Sequence, residues 1–433
     1  MSYVNATAMT PRAESAESAA TTGFQPARLA AKKPGIGSAI VQYILDHPYA
    51  VYAFFRRFKP VLIAKGWAFV SRYDDVVDVL KRQDVFAVPF GAKIETLNDG
   101  PNFLLGMADG PAYQALHQIV ARTFPDSDNR TAIAPIAAEE AEALVAASDG
   151  RIDAIRDLVT RVPTRLCERH YGVAVPDEVR FGHITIAMST FMFGDPSDDP
   201  VVRAEALKAG AELRPLIDAA IGSARARPNS RTVAGRLVGE IRADGTPLDD
   251  ATIRAILIGM ITGFVPTNTM AGGNMLEMLL RRPDMLRAAQ AAARADDDLL
   301  LTRCLWEAFR FLPLNPGPFR VCGEDAVIGA GTRHATAIKK GTKMLVGTHS
   351  AMFDPRRVER PKAFDPSRPS RNNLTFGSGL HWCIGAPLAE AQITHTLKPL
   401  LTRRNLRRAP GKDGKMTKDG PFPAHLTVLF DPD

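Results

Sequence analysis

The stretch that most constrains this chain lies near its C-terminal end: Phe376-Gly377-Ser378-Gly379-Leu380-His381-Trp382-Cys383-Ile384-Gly385-Ala386-Pro387-Leu388-Ala389. A cysteine stands among glycines, and an apolar run of helical character follows it. The glycines let the backbone turn tightly and approach something bulky. Backbone N–H groups just ahead of a helix can point at the sulfur and stabilise it as thiolate. A thiolate held in this way is a good ligand for a soft or borderline metal such as iron.

The other three cysteines, Cys167, Cys304 and Cys322, are widely spaced along the 433 residues. They form neither a disulfide framework nor a Cys-x-x-Cys zinc site, and they suit a reducing cytoplasm. Cys167 and His170 stand three apart, and read as a buried thiol and a helix-end histidine rather than a metal pair. No run approaches the ~20 apolar residues of a membrane span. Residues 1–33 are rich in Ala, Ser and Thr and carry no signal-peptide core. They read as a disordered, solvated tail, which leaves 34–433 as one large domain. The formal net charge of +7 suits an acidic protein partner or an anionic substrate. No Arg/Lys block is interleaved with aromatics, so nucleic acid is not an expected partner.

Helical periods dominate, with short strands between them, so the fold class is mainly α with small β-sheets (α+β). Residues 38–58 read as a helix. Pro60-Val61-Leu62-Ile63 and Trp67-Ala68-Phe69-Val70 read as strands around Lys65-Gly66. Asp74 is the expected cap of the helix that follows. Residues 89–105, with Asn98, Gly100 and Pro101, read as loop. Residues 132–300 are mostly helical, and Asp249 and Asp250 cap a long apolar helix from Ala251 to about Leu280. Residues 338–346 read as a strand hairpin around Lys340-Gly341, 388–401 as a helix behind the cysteine, and 425–430 as a final strand.

The order Phe-Gly-x-Gly-x-His-x-Cys-x-Gly-x-x-Leu-Ala resembles the heme-binding loop of the cytochromes P450. That resemblance implies the cytochrome P450 fold and a heme b cofactor with Cys383 as the axial iron ligand. Phe376, Gly377 and Gly385 would shape the loop, and His381 and Arg320, in Pro318-Phe319-Arg320, would meet the heme propionates. Asp109-Gly110-Pro111-Ala112-Tyr113-Gln114-Ala115-Leu116-His117 resembles the family's propionate-binding Asp-x-Pro-x-His-x-x-x-Arg, with Tyr113 and His117 at the His and Arg positions. As i,i+4 neighbours, both can face one anion. Glu307-Ala308-Phe309-Arg310 resembles the family's buried Glu-x-x-Arg clamp. Its usual third arginine is Ala363 here, with Arg360 or Arg368 available to replace it. Phe90, Ile94, Leu97, Phe103 and Leu104, and also Phe191, Met192 and Phe193, fall where the family builds its substrate pocket.

One stretch departs from the family. The helix that crosses the heme normally reads Ala-Gly-x-Asp/Glu-Thr-Thr, and here it reads Thr262-Gly263-Phe264-Val265-Pro266-Thr267. Gly263 keeps the glycine that leaves room above the iron. Val265 and Pro266 replace the acid and the first threonine, which relay protons during dioxygen cleavage, and neither can donate one. Pro266 should also kink the helix. Thr267, Asn268 or Thr269 stand as replacement relay residues.

The resemblance therefore implies a bacterial-type monooxygenase in the cytoplasm. It would insert one oxygen atom from dioxygen into an apolar small molecule, with electrons from a separate ferredoxin and its reductase, or from a flavodoxin. The Val265-Pro266 departure carries a second expectation, a peroxide- or hydroperoxide-using enzyme of peroxygenase, isomerase or dehydratase type, with fatty-acid derivatives as natural substrates. A heme protein that only senses a ligand is the third.

Overall fold

The computed structural model describes residues 48–196 and 198–432, all within one compact unit, Asp46–Asp433. The expected tail at 1–33 and the first part of the helix expected from 38 lie outside the described residues. Helix α1 spans Pro48–Phe58. Strands β1 (Val61–Ala64) and β2 (Trp67–Val70) form the expected hairpin, with Val61 opposite Val70. Lys65 and Gly66 make the turn at φ of 49° and 77°.

Helix α2 spans Tyr73–Lys81, and Asp74 does not cap it. The Asp354 carboxylate, from far along the chain, accepts the Tyr73 N–H at 3.1 Å, while Asp74 pairs with Arg357 at 2.8 Å. Strand β3 (Phe86–Ala87) follows, and the region read as loop, 89–105, holds helix α3 (Gly91–Asn98). Its loop-forming residues sit at the helix ends, where Asp99 takes a left-handed φ of 50°.

Helices α4 (Pro111–Thr123), α5 (Ala134–Ala146), α6 (Arg161–Leu166), α7 (Glu178–Ser189), α8 (Pro200–Ala226) and α9 (Val233–Val238) follow, with β4 (Arg151–Asp153) between α5 and α6. The long apolar helix is α10, Asp250–Arg281. The Asp249 side chain caps it, accepting the Thr252 N–H at 2.8 Å. By length and composition α10 could cross a membrane, but 83% of its apolar window is buried inside the protein. It is the helix around which the core is built. The expected kink does not interrupt it, since the helix runs unbroken through Pro266. Helices α11 (Pro283–Arg294) and α12 (Asp298–Phe311) complete this part.

Strand β5 (Phe319–Cys322) joins the main sheet, and β6 (Ala326–Ile328) pairs with β7 (Thr336–Ile338) in a sheet of their own. Strand β8 (Lys343–Val346) lies parallel to β2 and antiparallel to β5. The main sheet therefore runs β1-β2-β8-β5-β3. This corrects the hairpin expected at 338–346: β2 and β5 occupy both edges of β8, and none is left for β7. Helices α13 (Thr348–Ala351) and α14 (Ala386–Thr402) follow, and α14 packs on α5 and α10. The expected last strand is two, β11 (Phe422–His425) and β12 (Thr427–Leu429), after the short β9 (Arg407–Arg408) and β10 (Thr417–Asp419).

Candidate functional site

The cysteine loop is closed by its own backbone. Cys383 N–H donates to the Phe376 carbonyl at 3.1 Å, Trp382 N–H to Gly379 at 3.0 Å, and Ala386 N–H to Cys383 at 3.1 Å. Gly377 and Gly379 take φ of 77° and 80°, which a side chain disfavours. A Cβ on Gly379 would also stand 2.6 Å from the Leu80 carbonyl at the end of α2. Phe376 seats the loop edge-on against Trp306 of α12, ring centroids 5.3 Å apart. Cys383 keeps accessible surface although protein closely surrounds it. Burial pushes its thiol pKa up, and a hydrogen bond from the Gly385 backbone N–H pulls the other way. A cation bound at the sulfur would reverse the effect of burial.

Around the loop the fold gathers the side chains expected at the propionates. Tyr113 stacks on His117 with centroids 5.8 Å apart and meets His381 edge-on at 5.7 Å. The Tyr113 hydroxyl donates to the Leu380 carbonyl at 3.0 Å. That bond engages its only proton and ties Tyr113 to the cysteine loop. Arg320, on β5, is 4% exposed. One guanidinium nitrogen donates to the Phe319 carbonyl at 2.8 Å, and its Nε has no hydrogen-bond partner among the described residues. Burial alone brings its pKa down to about 10. His381 feels this charge: burial, then Arg320, lowers its pKa to about 4. Among the described residues no carboxylate pairs with Arg320. A buried guanidinium is costly unless an anion and hydrogen bonds compensate it. A heme propionate is an anion with the right bidentate geometry.

Helix α10 supplies the opposite wall. Within its buried middle, Gly259, Gly263 and Thr267 keep partial exposure. They stand four apart, so they line one face. A Cβ at Gly259 would strike the Phe103 ring, at 2.4 Å, whereas one at Gly263 would meet nothing within 4 Å. The Thr267 hydroxyl donates to the Gly263 carbonyl. Val265, Pro266, Asn268 and Thr269 are buried, and Thr269 donates back to the Val265 carbonyl at 2.9 Å. Of the three replacement relay residues, only Thr267 borders the open space.

Behind the loop, Glu307 and Arg310 form a two-pronged ion pair with contacts of 2.9 and 2.8 Å. The missing third member is Arg368, whose Nε meets Glu307 at 3.2 Å. The backbone N–H of Asp365 adds a further bond to that carboxylate at 3.2 Å. Asn373 carries the connection forward by donating to the Trp306 carbonyl at 3.4 Å.

A pocket of about 200 Å³ opens beside Arg320, lined by Trp67, Phe90, Lys93, Met192, Phe193, Asp195, Phe319 and Lys343 among others. Of the residues expected to line a substrate space, Phe90, Met192 and Phe193 line this pocket. Ile94, Leu97, Leu104 and Phe191 are buried in the core. The sequence reading missed Trp67, Lys93 and Lys343, because nothing in their spacing brings three distant segments to one rim.

The donor set therefore fits heme: a thiol that keeps accessible surface, a buried guanidinium with no carboxylate partner among the described residues, and a glycine with open space beside it on the long apolar helix. Comparison with known proteins agrees. Residues 232–429 match the sequence model of the family described as Cytochrome P450. Cytochrome P450 monooxygenase PikC of Streptomyces venezuelae is 30% identical over 302 residues, covering 68% of this chain and 67% of that protein. Pulcherriminic acid synthase of Bacillus subtilis is 25% identical over 414 residues, 91% of this chain and 98% of that protein. In fold, the ligand-free structure of cytochrome P450 TbtJ1 superimposes with a TM-score of 0.74 at 22% identity, covering 89% of this chain and 97% of that one. P450BioI, solved with an acyl carrier protein bearing hexadec-9Z-enoic acid, gives a TM-score of 0.76 at 19% identity, covering 90% and 100%.

Proposed function

The chain belongs to the cytochrome P450 family, whose members bind heme b, and on that premise we propose that it is a monooxygenase driven by dioxygen and external electrons. The substrate is an apolar or amphipathic small molecule. The chemistry that bound heme b supplies is cleavage of an O–O bond, which a thiolate ligand favours. Cys383 is that ligand, and the Gly385 N–H steadies its sulfur. The Arg320 fork would hold a propionate, with His381 and His117 beside it. Gly263 leaves room on the opposite face.

The observation that carries the dioxygen reading is Thr267. Its proton is committed to the Gly263 carbonyl, so an Oγ1 lone pair is left toward the open space. There it can accept from a proton carrier and orient it. Val265 and Pro266 favour a second reading, in which peroxide or an organic hydroperoxide brings the O–O bond and no relay is needed. The positive net charge supports an acidic ferredoxin or flavodoxin as electron carrier.

Two assays separate the readings. Candidate substrates are supplied with a ferredoxin, its reductase, NAD(P)H and dioxygen, and then with hydrogen peroxide or a fatty hydroperoxide alone. Coupled turnover in the first is the expected result, and turnover only in the second would overturn it. Ligation is checked independently: Cys383→Ala should abolish the thiolate signature in the Soret band of the reduced carbonyl complex.

A further inference from the structure

We infer that the pocket between α3, the turn at Thr190–Gly194 and the main sheet seats the anionic end of an amphipathic substrate, with Lys343 as its counter-ion. The inference rests on the monooxygenase reading and gives it a substrate class: a hydrocarbon ending in a carboxylate.

The wall is apolar, with Trp67, Phe90, Phe193 and Phe319 on it, and three cations and one carboxylate are set into it. Two of the cations are already used. Lys93 donates to the carbonyls of Phe191 and Asp195, pairs with the Asp195 carboxylate at 3.5 Å, and lies 4.3 Å from the centre of the Phe191 ring. Asp195 is engaged in turn, accepting the Asp199 N–H at 2.8 Å. Arg320 belongs to the cofactor side. Lys343 remains. Among the described residues no carboxylate pairs with it. Its ammonium makes a long contact of 3.4 Å to the Pro196 carbonyl and stands 5.7 Å from the centre of the Trp67 ring.

An ammonium has three donors, so Lys343 can take a carboxylate without giving up a native ion pair. Lys343 is itself exposed, so the attraction is that of a surface ion pair beside an aromatic wall. Arg320 lines this pocket and is also the proposed propionate partner, so a head at Lys343 would leave the tail free to run along the wall shared with the cofactor. A neutral substrate would fill the apolar wall equally well and gain nothing from Lys343. A cationic one would be repelled.

The test is calorimetric titration of the heme-loaded enzyme with decanoate, decan-1-ol and decylammonium. Decanoate should bind about fivefold more tightly than decan-1-ol, the upper end of what one ion pair to an exposed lysine gives, and decylammonium more weakly than either. Lys343→Gln should erase the preference for decanoate and leave decan-1-ol within about twofold of its original affinity. Lys412→Gln, an exposed charge on another part of the chain, should keep the preference. Equal binding of decanoate and decan-1-ol, no binding of decanoate, or a preference that survives Lys343→Gln would each overturn the inference. Calorimetry reads no turnover, so the two readings fail separately. A carboxylate preference without oxygenated product under dioxygen and reductant would count against the monooxygenase alone. Oxygenated neutral substrates without that preference would count against the carboxylate site alone.

Discussion

Position 267 shows how much depends on the direction of one side chain. Pro266 and Val265 are buried, and the hydroxyl that reaches the open space comes from the next residue, bound to the Gly263 carbonyl one turn back. Thr267→Ala should lower product formation under dioxygen and reductant by roughly 100-fold, the low end of what a positioned proton-handling group contributes. NAD(P)H consumption should continue and peroxide should accumulate. Thr267→Ser, which restores the hydroxyl, should recover most of the product. Chromatographic product yield set against NAD(P)H consumed checks this, and unchanged coupling in the alanine variant would remove Thr267 from the mechanism. Cys383 stands out in the sequence because the glycines and the helix start that mark it lie within a few residues. The choice among Thr267, Asn268 and Thr269 was not, because it depends on the rotational phase of α10. The fourfold spacing of Gly259, Gly263 and Thr267 held that phase, but only Phe103 against one glycine and open space at the next give it meaning.

Among the elements, α12 bears on the cofactor loop without touching the chemistry. Arg310 is 0% exposed and Glu307 5%, so neither charge has water to fall back on. Glu307→Ala would strand the Arg310 guanidinium. Breaking a buried pair from one side costs about 3–5 kcal/mol, and the denaturation midpoint of the variant should fall accordingly. Arg368→Ala leaves the two-pronged Glu307–Arg310 pair in place and should cost clearly less. If Glu307→Ala unfolds within about 1 kcal/mol of the parent chain, the pair is not a clamp. The pair was legible because Glu-x-x-Arg is a local pattern. Arg368 was one of two possibilities until the fold chose it, since it lies in an irregular segment without period. The same limit explains α3, hidden because its turn residues mark its ends, and the mistaken hairpin, because strand partners are chosen by free edges and not by proximity in sequence.

For the molecule as a whole, charge composition gave no sign that acid sensitivity would reside in buried histidines. The His349 ring lies among Tyr49, Tyr52 and Phe353, with centroids 5.8, 5.5 and 5.5 Å away, and its Nε2 has no partner. Burial first, then the charges of Arg310 and Arg56, lower its pKa to about 3. Burial also lowers that of His170, against the pull of Asp128. In the unfolded chain a histidine titrates near ~6.5. Below that value the unfolded chain binds protons that the folded chain refuses, so stability falls as pH drops from about 6.5 toward the folded values. Above it, both states are neutral and the histidines contribute no pH dependence. Each such group contributes about 1.4 kcal/mol per pH unit. Glu140 and Glu178 are held below the usual carboxylate range by their arginine hydrogen bonds and charges, which outweigh the burial that would raise them. Their contribution is lost only as pH falls below the unfolded carboxylate value, ~4.3. The interval between about pH 6.5 and 4.5 therefore carries the histidine contribution, against which the burial-raised carboxyls of Glu390, Asp75 and Asp157 work in the opposite sense. Urea unfolding at steps across it should show a steep loss of stability. His349→Phe, which keeps an aromatic ring in the same cluster, should reduce the slope by about 1.4 kcal/mol per pH unit. An unchanged slope in that variant would mean that His349 accepts a proton inside the fold.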